Sequence, residues 1–172
     1  MPLTLLVGGA RSGKSTLALR RAHRFGGAVV FVATAEARDA DMAERIARHR
    51  AEREAGWATV EAPVDLGGAL SGVSAETCVI VDCLTLWVAN LMERELDPEA
   101  LAVEAAGLAA RRPAPTIAVT NEVGMGVVPS SALGRRYRDA LGRVNAIWAD
   151  RAAEALLVVA GRTLRLDRAD DV

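Results

Sequence analysis

Gly8-Gly9-Ala10-Arg11-Ser12-Gly13-Lys14-Ser15 is the stretch whose reading decides the fold. It fits G-x-x-x-x-G-K-[ST], the phosphate-binding P-loop. Glycines let such a loop curl until its N–H groups face phosphate oxygens, the lysine reaches the β/γ-phosphates, and the Ser/Thr hydroxyl ligates Mg²⁺. Lys14 is the single lysine of the chain, and every other basic side chain is arginine. A composition that keeps one ammonium, at this position, points to a nest too small for a planar guanidinium.

The flanks agree. Leu3-Thr4-Leu5-Leu6-Val7 is an unbroken apolar run, as expected of a buried parallel strand. Thr16 to Ala22 reads as a helix that closes before Gly26-Gly27. Strand, glycine loop and helix N-terminus together make an anion site with the helix dipole aimed at the phosphates.

At 172 residues the chain is long enough for one domain with a substantial core. Its 51% hydrophobic content comes from Ala, Val and Leu rather than aromatics, which suits helices packed on a sheet. The formal net charge of −1 gives no global attraction to nucleic acid or to an anionic membrane, so neither is expected as a partner. Cys78 and Cys83 lie in or beside an apolar run, with no signal peptide or membrane span ahead of them. They read as buried or unremarkable thiols in a reducing cytoplasm.

Further along, apolar runs alternate with helical patterns. Strands are expected at Ala28–Ala33, Ala58–Glu61, Cys78–Asp82, Thr116–Thr120, Leu156–Ala160 and Thr163–Leu166. Helices are expected at Asp39–Glu54 with Asp39 as N-cap, near Asp65–Leu70, at Leu84–Glu95, at Pro98–Arg111, and over Ala132–Ala155. Gly67–Ser74 and Arg111–Pro115 look like connections. The alternation implies an α/β domain with a mostly parallel central sheet flanked by helices, whose ligands bind outside the carboxyl ends of the strands.

That edge collects the remaining polar candidates. Asp82 ends a hydrophobic strand, where an acidic residue that holds Mg²⁺ opposite a P-loop is expected. Thr120-Asn121-Glu122-Val123-Gly124-Met125-Gly126 leaves another strand end and places an amide, Asn121, and a carboxylate, Glu122, in a glycine-hinged loop. It is either a substrate loop or a solvated turn. His49 sits late in a charged helix among Arg45, Arg48, Arg50 and Arg53, on one face with Met42, Ile46 and Arg53. The imidazole is a solvated surface group, a general base, or a nucleophile toward phosphorus with arginines neutralising phosphate charge. His23 has no such company and reads as structural.

Taken together, LLVGGARSGKS, VFVATAEARDADMAERIARHR with GW and EAP after it, VIVDCLTLWVANLM, and VTNEVGMGVVP with GRRYRDALGRVNAIWADRA span most of the chain in order. As a set they resemble the bifunctional adenosylcobinamide kinase / adenosylcobinamide-phosphate guanylyltransferase family of cobalamin biosynthesis. The resemblance implies a RecA-like P-loop NTPase domain over the whole chain, residues 1–172. It implies two reactions: phosphorylation of the terminal hydroxyl of adenosylcobinamide's aminopropanol arm by ATP or GTP, then transfer of GMP from GTP onto that phosphate through a guanylylated histidine. The products are adenosyl-GDP-cobinamide and pyrophosphate. By position, His49 takes GMP, and Gly8, Gly9, Ala10, Arg11, Ser12, Gly13, Lys14 and Ser15 cradle the triphosphate. Ala33, Thr34, Ala35, Arg50, Ala51, Glu52, Arg53, Glu61 and Asp82 line the nucleotide site, with Ser15 and Asp82 on Mg²⁺. A homotrimer with its site near a subunit boundary is also implied. One departure stands out: Glu54 occupies a position where the family commonly has proline, which bears on where Arg53 sits but not on the histidine.

Two rival classes are weighed by the same residues. A small-molecule kinase without nucleotidyl transfer is expected to carry a separate arginine-rich lid, and no segment reads as one. A GTP-gated switch needs a Thr/Asn-Lys-x-Asp guanine-reading motif, which a chain with no lysine beyond position 14 does not contain.

Overall fold

The structure, a computed structural model, describes residues 3–51 and 56–168, with Arg45 described by its backbone alone. Its elements run β1 (Leu3–Gly8), α1 (Lys14–Phe25), β2 (Val29–Ala33), α2 (Ala40–Ala51), β3 (Ala58–Glu61), α3 (Leu66–Gly72), β4 (Cys78–Asp82), α4 (Leu84–Glu93), α5 (Pro98–Arg111), β5 (Thr116–Asn121), α6 (Ala132–Arg151), β6 (Glu154–Val159) and β7 (Arg162–Leu166). The strands form one sheet in the order β3-β2-β4-β5-β1-β6-β7, parallel throughout except for β7, which runs antiparallel to β6.

Every residue of β1 is buried, because a strand in the middle of a parallel sheet is covered on both faces. Successive side chains point to opposite faces, so Leu5 and Leu6 enter different cores. On one side α1 lays Ala18 and Ala22 over Leu6, Phe31, Ile80 and Val119. On the other, α3 to α6 bring Leu66, Trp87, Leu91, Leu141 and Trp148 against Leu3, Leu5, Val79 and Val81. Each fully buried side chain of this size stabilises the fold by about 1.5–3 kcal/mol. Small residues on α5, Ala102, Ala105, Ala106 and Ala109, let that helix come close to its neighbours.

Several boundaries depart from the sequence-based expectation. Part of Gly67–Ser74, read as a connection, is helical: Asp65 caps α3 by accepting from the Gly68 N–H at 2.7 Å, and buried Leu66 and Leu70 outweigh the glycines' poor propensity. The helix expected over Ala132–Ala155 stops at Arg151. Glu154 and Ala155 instead pair with Thr4 and Leu5 of β1, and the Ala153 N–H donates to Leu3 O at 2.9 Å. Ala160, expected in a strand, turns the β6–β7 hairpin with φ 50°. Helix α1 begins two residues earlier than expected, at Lys14, and runs to Phe25. Helix α4 ends at Glu93 rather than Glu95. Asp39 is the expected cap: its Oδ1 accepts from the Met42 N–H at 2.7 Å. The far end of that helix, Glu52 to Glu54, lies outside the described residues, as does the Glu54 departure.

Candidate active site

The sheet register lines up the candidate residues along one edge. Glu61 of β3 pairs with Ala33 of β2, Ala33 pairs with Asp82 of β4, and Asn121 of β5 pairs with Gly8 of β1. The loop from β1 into α1 rises over this edge. Arg11 at φ 56° and Gly13 at φ 99° make its left-handed turns, and at Gly13 the absence of a Cβ is what permits the turn. Gly8 meets a different demand: a Cβ there would stand 2.2 Å from Val158 O. The β6–β7 hairpin closes the loop from outside, with the Gly161 N–H donating to Ser12 O at 2.8 Å.

Lys14 opens α1 and folds back beneath the loop. Its Nζ donates to Gly9 O at 2.7 Å, Gly8 O at 3.0 Å and Ser12 Oγ at 3.3 Å, and only 7% of the residue is exposed. Burial draws its pKa below the ordinary lysine value, and the neighbouring Cys83 and Asp82 pull it partly back. An ammonium with three donors satisfied by the loop itself is poised to trade carbonyls for phosphate oxygens over a short distance.

Asp82 is the meeting point. Ser15 Oγ donates to its Oδ2 at 3.3 Å, and His49 Nδ1 approaches the same oxygen at 3.7 Å. A serine at the start of α1, a carboxylate at the end of β4 and a histidine late in α2 thus converge, although 67 residues separate Ser15 from Asp82. Two hard oxygen donors suit Mg²⁺, which keeps several waters and takes one or two carboxylates plus substrate phosphates. Among the described residues no group of three or more His, Cys, Asp and Glu is placed to hold a metal alone. The donor set therefore fits an ion completed by a bound triphosphate.

The other nucleotide candidates divide. Arg50 and Glu61 form an ion pair at the rim at 2.5 Å, and Ala51 is exposed at the end of α2. Ala33 is buried and Ala35 half-buried. Thr34 is wholly buried, and its hydroxyl both donates to Cys83 O at 2.7 Å and accepts from the Cys83 N–H at 2.8 Å. Its side chain therefore fixes the Asp82–Cys83 junction, a cis peptide, from behind rather than facing a ligand. Glu52 and Arg53 lie outside the described residues. Ala10 and Arg11 are exposed at the crown of the loop, and Ser12 is buried in it.

The 121–131 segment has a fixed base and an exposed tip. The Glu122 N–H donates to Gly8 O at 3.2 Å, which joins this segment to the P-loop, and the Asn121 N–H donates to Thr85 Oγ1 at 2.8 Å. Met125 is 80% exposed and Val127 95%. The Glu122 carboxylate turns back onto the Gly124 N–H at 2.6 Å. His23, read as structural, is exposed in the last turn of α1, where its carbonyl accepts from Gly26 N–H at 3.2 Å. Both cysteines are free, with thiols pushed up to about 11, chiefly by burial.

Two supporting residues escape sequence reasoning. Asn145 accepts from Thr120 Oγ1 at 2.7 Å and donates to Asn121 O at 3.1 Å; Asn90 donates to Thr34 O at 2.7 Å and Pro63 O at 2.9 Å. Each is a lone amide within an apolar helical stripe, Val88-Ala89-Asn90-Leu91 and Val144-Asn145-Ala146-Ile147, and that mismatch is the signal that could have found them.

A RecA-like P-loop sheet with a phosphate nest, a metal-fitting Ser–Asp pair and a histidine beside it defines a nucleotide-dependent enzyme of phosphorus transfer. The fold is shared with the flagellar accessory protein FlaH of Methanocaldococcus jannaschii, at TM-score 0.50 and 14% identity over 94% of this chain and 74% of that one. The chain belongs to the cobinamide kinase / cobinamide phosphate guanyltransferase family, whose model matches residues 4–166, and it is a transferase. It is 45% identical over 166 residues to the bifunctional adenosylcobalamin biosynthesis protein CobP of Pseudomonas aeruginosa, covering 94% of this chain and 95% of that protein. Against the bifunctional protein CobU of Salmonella typhimurium it is 37% identical, covering 92% and 96%. The CobU of Escherichia coli is 39% identical over the same shares. Among the described residues no helix is long and apolar enough to cross a membrane.

Proposed function

We propose that this enzyme phosphorylates the terminal hydroxyl of adenosylcobinamide with ATP or GTP, then transfers GMP from GTP to that phosphate through a guanylyl group on His49. The observation that carries this reading is the approach of His49 to Asp82 at 3.7 Å. A histidine on a separate helix reaches the carboxylate that also meets the P-loop serine. In the kinase step, Lys14 and the loop N–H groups neutralise the triphosphate and hold its γ-phosphorus toward the hydroxyl. Ser15 and Asp82 would hold a Mg²⁺ ion, which would supply charge stabilisation to the triphosphate. In the second step the α-phosphorus is the target, and a histidine divides one difficult displacement into two easier ones. Arg50 and Glu61 are the rim residues this reading assigns to the nucleotide, and the loop that begins at Asn121 and Glu122 is the one it assigns to the acceptor. The family resemblance supports a homotrimer as the working assembly.

The test uses GTP labelled at the α-phosphate. The expected result is a covalent label that survives denaturation, leaves at low pH, resists alkali and maps to His49. A label that persists in His49→Ala overturns the assignment.

A further inference from the structure

We propose that Asn145 and Thr85 are positioning residues for the acceptor: they take up the two backbone groups of Asn121 that β4 leaves without a strand, and so hold the loop of residues 122–128 in register with the P-loop. The inference rests on the reading of that loop as the acceptor's. It goes beyond that reading by naming the side chains that set where the loop stands.

The need arises from where the strands stop. In a parallel ladder the N–H and C=O of one residue face the same neighbouring strand, and those of the next residue face the other. β4 ends at Asp82, one residue past the pairing of Val81 with Ala118, and the chain then turns away into α4. β5 runs on to Asn121, whose backbone groups on that side have no strand to meet. Backbone donors and acceptors shielded from water need partners. Two side chains supply them. Thr85 Oγ1, in the first turn of α4, accepts from the Asn121 N–H at 2.8 Å, and Asn145 Nδ2, on α6, donates to Asn121 O at 3.1 Å. Each is itself fixed. The Thr120 hydroxyl donates to Asn145 Oδ1 at 2.7 Å, and since Asn121 O can only accept, the amide is held in one orientation. The Tyr137 hydroxyl, also on α6, donates to Thr85 O at 3.1 Å. Asn145 is 7% exposed and Thr85 9%, so water competes little for these bonds.

The next residue faces the P-loop. The Glu122 N–H donates to Gly8 O at 3.2 Å, and the same carbonyl takes Lys14 Nζ at 3.0 Å. One carbonyl thus joins the root of the loop to the phosphate lysine. The far end returns to α6, where Arg135 donates to Pro129 O at 3.0 Å and Ser130 O at 2.7 Å, and Ser131 caps the helix. Between these anchors the tip is exposed, with Met125 at 80% and Val127 at 95%. A free tip on a fixed root suits a surface that meets a large acceptor while its hydroxyl is delivered to the γ-phosphorus. Releasing the root shifts the tip against the P-loop. It misplaces the acceptor and leaves the nucleotide, held by the P-loop's own bonds, where it was.

The test separates acceptor from nucleotide. For Asn145→Ala, Thr85→Val and Thr85→Ser, kcat/KM for adenosylcobinamide is measured at saturating ATP, beside equilibrium binding of a β,γ-imido analogue of ATP and a thermal melt. Asn145→Ala and Thr85→Val, on different helices, should each lower kcat/KM by about 10-fold or more, while analogue binding stays within about 2-fold of wild type. Thr85→Ser keeps the hydroxyl that accepts from Asn121 and should restore kcat/KM to within about 2-fold of wild type. A role in stability alone lowers the melting temperature without that split. An unchanged kcat/KM in the folded variants, or one that falls together with analogue binding, therefore overturns the inference and leaves the kinase reading standing. Equal losses in Thr85→Ser and Thr85→Val overturn it as well. A wild-type enzyme that binds the analogue yet does not phosphorylate adenosylcobinamide removes the functional reading and this inference with it. If Asn145→Ala does not fold, the near-isosteric Thr85 pair decides.

Discussion

Lys14 is 7% exposed and bonded to three atoms of its own loop, while the side chain of His49 is 45% exposed on a helix with only Met42 and Ile46 half-buried among its described apolar side chains of any size. The two regions meet at Asp82 but are held by different means. The P-loop is fixed by a turn that glycine permits, by strands on both sides and by a hairpin bonded across its outside. Helix α2 is anchored by a cap at Asp39 and by polar contacts at its far end, Arg50 to Glu61 and His49 toward Asp82. A γ-phosphoryl transfer uses a rigid nest. In the proposed second step, His49 would have to come against the α-phosphorus of the same nucleotide. The difference teaches that, on the proposed function, the two chemistries would be built on separate elements and share one carboxylate.

The largest effect that can break this comparison belongs to the nucleophile. His49→Ala should lower GMP transfer by about 10⁴-fold or more, as loss of a covalent nucleophile does elsewhere. Phosphorylation of adenosylcobinamide should stay within a few-fold of wild type. Separate assays of the two steps check it, and equal loss of both would mean that the histidine is part of the P-loop machinery. Next comes Lys14→Ala, expected to slow both reactions by about 10²–10³-fold because it removes charge placed at the transferring phosphorus. Lys14→Arg should rescue little, since a planar fork does not fit a nest whose acceptors lie 2.7–3.3 Å from one ammonium.

Smaller effects sharpen the contrast. Asn145→Ala strands the buried Thr120 hydroxyl and Asn121 carbonyl and should cost about 1–3 kcal/mol in a denaturant titration. Arg50→Ala removes an exposed ion pair and should change stability by less than about 1 kcal/mol. Amide exchange should show the same ranking without mutation. The amides of α1 should be protected far longer than those of α2, whose shallow burial leaves little to resist local opening. Equal protection of the two helices would remove the distinction between a fixed nest and a mobile nucleophile.

How much of this was legible in the sequence follows from the kind of signal each part leaves. The motif at Gly8–Ser15 and the apolar runs of β1, β2, β4 and β5 announce themselves, because burial on both faces leaves no polar interruption. The ends of α6 and β6 were not legible, since Ala152-Ala153-Glu154-Ala155 suits a helix locally and becomes a strand only when β1 offers its edge. Three of the candidate residues fall side by side at the sheet edge, and register explains why: Glu61, Ala33 and Asp82 stand at the ends of adjacent strands. Their individual duties were not legible. Thr34 enters the sequence reading only as one of three residues at and just past the end of β2, and the structure shows its side chain wholly buried and bonded to Cys83; nothing in a linear string joins His49 to Asp82.

The central claim is that one nucleotide site serves both reactions, with the P-loop common and the histidine added. Equilibrium binding to His49→Ala tests it most directly, because no GMP can be captured while ligands are counted. The account predicts one equivalent of GTP per chain, displaced competitively by a β,γ-imido analogue of ATP, with both lost in Lys14→Ala. Two equivalents per chain, or GTP that stays bound under saturating analogue, would contradict it.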